Sequence, residues 1–241
     1  MSTATLASKG LGIQFGGHVA VDAVSAEFQA GTLTAIVGPN GAGKSTTLRT
    51  IIGLWQPSAG SIELDGADLA GLSTPDIARR GIAFVPEDMG VFANLTVQEN
   101  LRLAAIGGRM DDSRLQWIFS LFPALERFWL RPGGTLSGGQ KQMVAIARAI
   151  IEPRRLLLID EPTKGLAPSI VQNLASALRA LKAEQTTILL VEQNFHFARA
   201  LGDDVAVMDD GHIVHTGRMD ALAADASLQE RLLGLGTAAH A

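Results

Sequence analysis

The chain has 241 residues, 47% of them hydrophobic and 18% charged, with a net charge of −4 and no cysteine. That length suits one compact domain with an insertion, or two joined lobes, and the apolar content allows a sizeable core. Disulfides, thiolate metal sites and cysteine nucleophiles are excluded, no basic footprint of a nucleic-acid binder is present, and no apolar run reaches membrane-spanning length.

Residues 1–10 lack the apolar core of a signal peptide, so a cytosolic chain is expected, with a peripheral seat on a membrane protein left open. Residues 4–37 read as several short strands, broken at Gly16-Gly17 and Ala30-Gly31. Phe15, just before the first glycine pair, offers either an aromatic face on which a nucleotide base stacks or an ordinary core phenylalanine. An apolar run at 33–37 leads into Gly38-Pro39-Asn40-Gly41-Ala42-Gly43-Lys44-Ser45-Thr46, followed by a helix-compatible segment at 47–54. The spacing Gly-x-x-x-x-Gly-Lys-Ser between strand and helix is that of a phosphate-binding loop. Its glycines let backbone N–H groups converge on an anion, at the positive end of the following helix. Lys44 is expected to reach the β- and γ-phosphates of a nucleoside triphosphate and the Ser45 hydroxyl to ligate Mg²⁺.

A strand is expected at 61–64, a turn at Asp65-Gly66 and a helix start at Thr74-Pro75-Asp76. The strand at 82–85 runs into Pro86, leaving Glu87 and Asp88 on a loop at its carboxyl end, the edge where open α/β sheets bind ligands. A solvated loop charge is the plain alternative. Residues 88–150 look helical, with Val97, Leu101, Ala104 and Ala105 on one face, and Leu115, Ile118, Phe119 and Phe122 on another. Trp117, Phe119, Phe122, Phe128 and Trp129 crowd into this stretch and are expected to fill a helical lobe, with a partner groove as the alternative.

Leu136-Ser137-Gly138-Gly139-Gln140 precedes a helix with Met143, Ile146, Ala147 and Ile150 on one face. Ser137 is a natural N-cap, and the glycines leave this second helix N-terminus open to an anion. The run at 156–159 ends in Asp160-Glu161. A buried strand rarely ends in paired acids, because burying charge is costly. Beside a phosphate loop, Asp160 is expected to hold Mg²⁺ and Glu161 to polarise the attacking water. Pro168 opens a helix with Val171, Leu174, Leu178 and Leu181 on one face. A strand at 187–191 ends in Glu192-Gln193-Asn194, Asp210-Gly211 joins strands at 205–208 and 212–215, short helices follow at 219–234, and residues 236–241 are expected to fray.

The phosphate loop, the Leu-Ser-Gly-Gly-Gln signature and the apolar run ending in Asp-Glu occur in that order, and together they resemble an ATP-binding-cassette (ABC) ATPase over essentially the whole chain. The resemblance implies an α/β fold: a RecA-like phosphate-loop NTPase core with an antiparallel β subdomain at 1–87 and 151–218, an inserted helical subdomain at 88–150, and a C-terminal helical tail at 219–241. It implies a head-to-tail dimer sandwiching two ATP molecules. Each ATP would touch residues 38–46, Glu87, Asp160 and Glu161 of one chain, and Ser137, Gly138, Gly139 and Gln140 of the facing one. Phe15 falls where the family places its adenine-stacking aromatic, and Ser45, Glu87 and Asp160 form the Mg²⁺ set.

Three positions depart from the commonest family pattern. Glu87 stands for a glutamine, Gly165-Leu166-Ala167-Pro168 for a motif ending in Asp, and Gln193 for the switch histidine; His196 lies three residues late for that role. With Val85-Pro86-Glu87 and Val191-Glu192-Gln193-Asn194, these features resemble the ATPase subunits of importers for branched-chain and other hydrophobic amino acids. That subgroup implies a seat on the cytoplasmic face of the membrane, two integral membrane permease subunits, a second ATPase subunit or a second copy of this chain, and, indirectly, an external solute-binding protein, with no nucleic-acid partner. The alternatives are importers of urea, amides or aromatic acids, and a soluble ABC ATPase acting on a cytosolic scaffold. Gln193 can hydrogen-bond a γ-phosphate oxygen but cannot supply an imidazolium, so slower hydrolysis at this chain's own site is expected.

Overall fold

The computed structural model describes residues 5–234; the fraying expected at 236–241 falls outside them. In chain order, β1 (Leu6–Phe15) and β2 (His18–Phe28) form a hairpin and β3 (Leu33–Val37) leads into α1 (Lys44–Ile51). A second hairpin, β4 (Ala59–Leu64) and β5 (Ala67–Asp68), is followed by α2 (Thr74–Arg79) and β6 (Ile82–Val85). Four helices come next: α3 (Val97–Ala104), α4 (Asp112–Leu121), α5 (Ala124–Arg127) and α6 (Gly138–Ile150). Then β7 (Leu156–Asp160), α7 (Pro168–Ala183), β8 (Thr187–Glu192), α8 (Phe195–Leu201), β9 (Asp204–Asp209), β10 (His212–Arg218), α9 (Met219–Ala224) and α10 (Ala226–Leu233) complete the described chain.

The strands form two sheets. One is antiparallel, in the order β2-β1-β4-β5; the other runs β10-β9-β3-β8-β7-β6, parallel from β9 to β6 with β10 as an antiparallel edge. β3, β7 and β8 are buried at every position, as strands covered on both faces must be. The side chains of β7 and β8 alternate between two cores, while Ala35 and Val37 of β3 join a third with Val205 and Val207. Leu156, Leu158, Leu189 and Val191 pack with Leu48 of α1 and with the antiparallel sheet, whereas Leu157, Ile159, Ile188 and Leu190 pack with α6, α7 and the helical region. Each such fully buried side chain stabilises by about 1.5–3 kcal/mol.

Two expectations need correction. Where several short strands were expected over 4–37, the described part of that stretch holds two long strands of 10 and 11 residues before β3. The irregular pattern comes from register shifts in the β1–β2 pairing, bulges that bend a long ribbon without ending it. Gly16-Gly17 reverses the chain in a two-residue turn between the paired Phe15 and His18. The helix after the phosphate loop spans Lys44–Ile51 rather than 47–54. Gly43, at φ 95°, turns the chain directly into it, so Lys44 and Ser45 already stand in its first turn.

The five aromatics of the helical stretch are core. Phe122 and Phe128 are buried, and Trp117, Phe119 and Trp129 pack on the same cluster, with Phe119 edge-on to Trp129. Fully buried Asn100 ties down the preceding loop: its carbonyl oxygen accepts from Phe92 N (2.9 Å), and its amide donates to the carbonyls of Phe92, Leu95 and Thr96.

Candidate active site

Because β3, β6, β7 and β8 are parallel, the loops that leave them emerge at one edge of the sheet. The loop after β3 is shaped by contacts no side chain could share. A Cβ on Gly38 would collide with the Met208 carbonyl, and one on Gly43 would lie 2.7 Å from the Ala20 carbonyl oxygen. No side chain caps α1, so its first N–H groups stay available to a ligand. Lys44 is buried, its ammonium donating to the carbonyls of Gly38 (2.8 Å) and Pro39 (2.7 Å). Burial lowers its pKa, opposed by the charges of Glu161, Asp160 and Glu192.

Ser45 donates to Asp160 Oδ1 at 2.7 Å. Asp160 is fully buried, its Oδ2 has no hydrogen-bond partner, and the Arg49 guanidinium stands 3.9 Å away. Burial pushes this carboxyl above its usual range, with Ser45 and Arg49 pulling against it. Glu161 has a left-handed backbone at φ 45°, which costs a residue with a Cβ about 1–2 kcal/mol. Its N–H is held by the Val191 carbonyl at 2.9 Å. The Gln193 amide donates to Glu161 Oε1 (2.6 Å) and to Asn40 Oδ1 (2.5 Å), joining the loops after β3, β7 and β8.

A cavity of about 190 Å³ opens here, lined by Asn40, Lys44, Ser45, Glu87, Glu161 and Lys164 among others. Gly41, Gly43 and Thr46 also line it, and Ala42 faces the core. A larger hollow of about 750 Å³ between α8 and α10 touches Gly38, Pro39 and Gln193 from the other side; His196 lies there, and neither Lys44, Asp160 nor Glu161 does. Asp160 and Gln193 do not line the phosphate cavity themselves but reach it through Ser45 and Glu161, and Phe15 and residues 137–140 stay outside it. Phe15 is 39% exposed, which excludes the core reading, and meets Trp55 edge-on at 5.1 Å. Ser137 caps α6 in a reciprocal pair: its hydroxyl accepts from Gln140 N (3.3 Å) and the Gln140 side chain accepts from Ser137 N (2.9 Å), with Gly138 and Gly139 in the first turn.

Three neighbours escaped the sequence reading. Lys164 pairs with Glu87 at 2.6 Å and with Glu161 at 3.7 Å. Glu192, at the buried end of β8, accepts from Thr163 N and Oγ1 and from the N–H groups of Gln193 and Asn194. Trp55 carried no signal beyond its residue type. The Glu192 carboxylate could have been suspected, since it ends an apolar run as Asp160 does.

A family model described as ABC transporter matches residues 21–164. The high-affinity branched-chain amino acid transport ATP-binding protein BraG of Pseudomonas aeruginosa is 40% identical over 222 residues, which cover 91% of this chain and 95% of that protein. The chain belongs to the ABC transporter family. The probable branched-chain amino acid transport ATP-binding protein LivF of Archaeoglobus fulgidus is 35% identical, with 90% of this chain and 93% of that one covered. Among solved structures, a nucleotide-free ATP-binding cassette from an ABC transporter superposes with a TM-score of 0.82 at 25% identity, covering 97% of this chain and all of the other. An ATP-binding subunit of an ABC transporter gives 0.79 at 32% identity, with 97% and 95% covered. The α/β fold with a RecA-like core is therefore that of ABC cassettes, as its phosphate loop and signature implied. Among the described residues no helix is long and apolar enough to cross a membrane.

Proposed function

We propose that this chain is the ATP-hydrolysing motor subunit of an importer for branched-chain or other hydrophobic amino acids, seated on the cytoplasmic face of the membrane beneath two integral permease subunits. The observation that carries the ATP chemistry is the convergence of Lys44, Ser45, Asp160, Glu161 and Gln193 at one sheet edge, bonded through Ser45–Asp160 and Gln193–Glu161. The importer assignment is supported by the similarity to BraG and LivF.

In this reading the Lys44 ammonium turns from the Gly38 and Pro39 carbonyls to the β- and γ-phosphates, and the N–H groups of residues 41–46 cradle them. Ser45, Asp160 and Glu87 would hold Mg²⁺. The donor set fits, since the buried Asp160 Oδ2, which accepts no hydrogen bond and has only the Arg49 guanidinium at 3.9 Å, stands beside a serine hydroxyl as an oxygen site for a hard cation. A magnesium ion held there would supply positive charge against the charge of the phosphate groups. Glu161 takes the proton of a water whose oxygen bonds to the γ-phosphorus; the bond to the β-bridging oxygen breaks, and ADP and inorganic phosphate leave. Gln193 keeps Glu161 aimed, Phe15 stacks on the adenine, and Ser137, Gly138, Gly139 and Gln140 close over the ATP of a facing copy or of a second ATPase subunit. The loop from Glu87 to Phe92 carries closure to the helical region. There the exposed Phe92, beneath the Arg148 guanidinium, and the exposed Leu103, Ile106 and Leu130 are surface for the permeases. A solute-binding protein would deliver substrate to those permeases from outside.

The test is co-purification of the tagged chain from detergent-solubilised membranes, followed by turnover of the complex. Two integral membrane proteins are expected to accompany it, and Glu161→Gln is expected to lower ATP turnover by about 10²–10⁴-fold while ATP still binds. Purely soluble companions would remove the transport role, and undiminished turnover in Glu161→Gln would remove Glu161 from the chemistry.

A further inference from the structure

Lys44 is not the only ammonium on the phosphate cavity. Lys164 lines it from the loop after β7, with its side chain 62% exposed and its Nζ 2.6 Å from Glu87 and 3.7 Å from Glu161. The backbone beneath it is anchored. Thr163 donates through both N and Oγ1 to buried Glu192, Glu161 N is bonded to the Val191 carbonyl, and Lys164 N is bonded to the Glu161 carbonyl at 3.3 Å. A flexible side chain thus rises from a fixed base at the cavity rim.

We propose that Lys164 is a second phosphate-binding cation of this site, exchanging Glu87 for the terminal phosphate when a nucleoside triphosphate binds. The inference rests on the ATP reading above and goes beyond it. Two general properties of the groups and one observation of this site carry it. An ion pair between exposed groups is weakly held, so a ligand bearing several charges on adjacent oxygens outcompetes one carboxylate for the ammonium. A lysine has three donors on a swinging stem and follows a phosphate without backbone movement. On the side of Glu161, where Lys164 shares a small pocket with Thr163, Glu192, Gln193 and Asn194, the neighbouring Gln193 is neutral and its amide is already engaged by Asn40 and Glu161, so the positive charge among these lining residues is that of Lys164. The exchange also unties Glu87, at the end of β6, from the loop after β7, which makes the link between those loops depend on the nucleotide.

The probes are fluorescent ATP and ADP analogues titrated into the purified chain, first in EDTA and then with magnesium. In both media Lys164→Met is expected to weaken the triphosphate by about tenfold, the worth of one charge-assisted contact, and to leave the diphosphate unchanged. Lys164→Arg is expected to keep the wild-type preference. In EDTA, Glu87→Gln is expected to tighten the triphosphate, because the ammonium no longer has a carboxylate to leave. Equal weakening of both nucleotides by Lys164→Met, or of neither, overturns this inference and leaves the ATP site standing. A wild-type chain that binds neither nucleotide overturns the ATP reading and the inference with it.

Discussion

Replacing Glu192 by glutamine keeps the shape of the side chain and changes one oxygen, yet that oxygen faces only donors. Glu192 is 2% exposed. Its Oε1 accepts from Thr163 N (3.2 Å) and Thr163 Oγ1 (2.7 Å), its Oε2 from Gln193 N (3.1 Å) and Asn194 N (3.1 Å). With the new amide NH₂ turned toward Gln193 and Asn194, two backbone N–H groups lose their acceptor. With it turned toward Thr163, the hydroxyl can rotate to accept and only the Thr163 N–H is orphaned, so this orientation is the one expected. One orphaned buried donor costs about 1–3 kcal/mol, and the two bonds that remain lose their charge assistance. Relief of a buried carboxylate works the other way, since burial pushes the Glu192 carboxyl above its usual range despite four donors.

The net expectation for Glu192→Gln is a loss of about 1–3 kcal/mol, or roughly 2–10 °C in Tm for a chain of this size. Thr163 carries the loop that holds Glu161 and Lys164, and Gln193 bonds Glu161 directly, so kcat is expected to fall about 10–100-fold from misplacement of the reacting group. ADP affinity, set by the loop after β3, is expected to hold. Urea unfolding, steady-state ATP turnover and ADP titration measure the three quantities. Wild-type stability together with wild-type kcat would refute the positioning role.

Two further predictions concern the neighbouring side chains. Asp160→Asn is expected to raise the Tm of the purified chain near pH 7. Burial raises the Asp160 carboxyl above its usual 3.8, so as pH rises from that value the folded chain gives up this proton later than the unfolded chain does. The stability this group contributes is full below 3.8 and is lost as pH rises through the raised folded value, which leaves the ionised carboxylate a net cost at neutral pH. The gain is expected to shrink as the pH falls toward 3.8, and an unchanged or lower Tm near pH 7 would contradict it. Gln193→His is expected to raise turnover of the assembled transporter roughly 3–10-fold by adding a protonatable group beside Glu161; unchanged turnover would mean that the neutral amide limits nothing.

Much of the site was legible because its chemistry is local. The glycines, lysine and serine of residues 38–46 are contiguous, and their loop geometry follows from residue type. Asp160 and Glu161 announced themselves by ending a run of four apolar residues, and Ser137 by its place as an N-cap; that Gln140 completes a reciprocal cap with it is seen only in the structure. The strand at 82–85, the helix from Pro168 and the Asp210-Gly211 turn were equally local and agree with the structure, although the second hairpin strand runs to Arg218 rather than ending at 215. The long bulged strands β1 and β2 were not legible, because register shifts break the two-residue alternation that marks a strand.

What the sequence by itself determined is the family, the phosphate loop and the acids that end a buried strand, all of them carried by residues adjacent in the chain or at fixed spacing. What only the tertiary structure decided is which distant side chains share one cavity. Lys164 meets Glu87 across 77 positions, and Gln193 meets Asn40 across 153. No local pattern encodes such pairs. They exist because a parallel sheet delivers the carboxyl ends of β3, β6, β7 and β8 to one edge, where each loop's charge is set against the others.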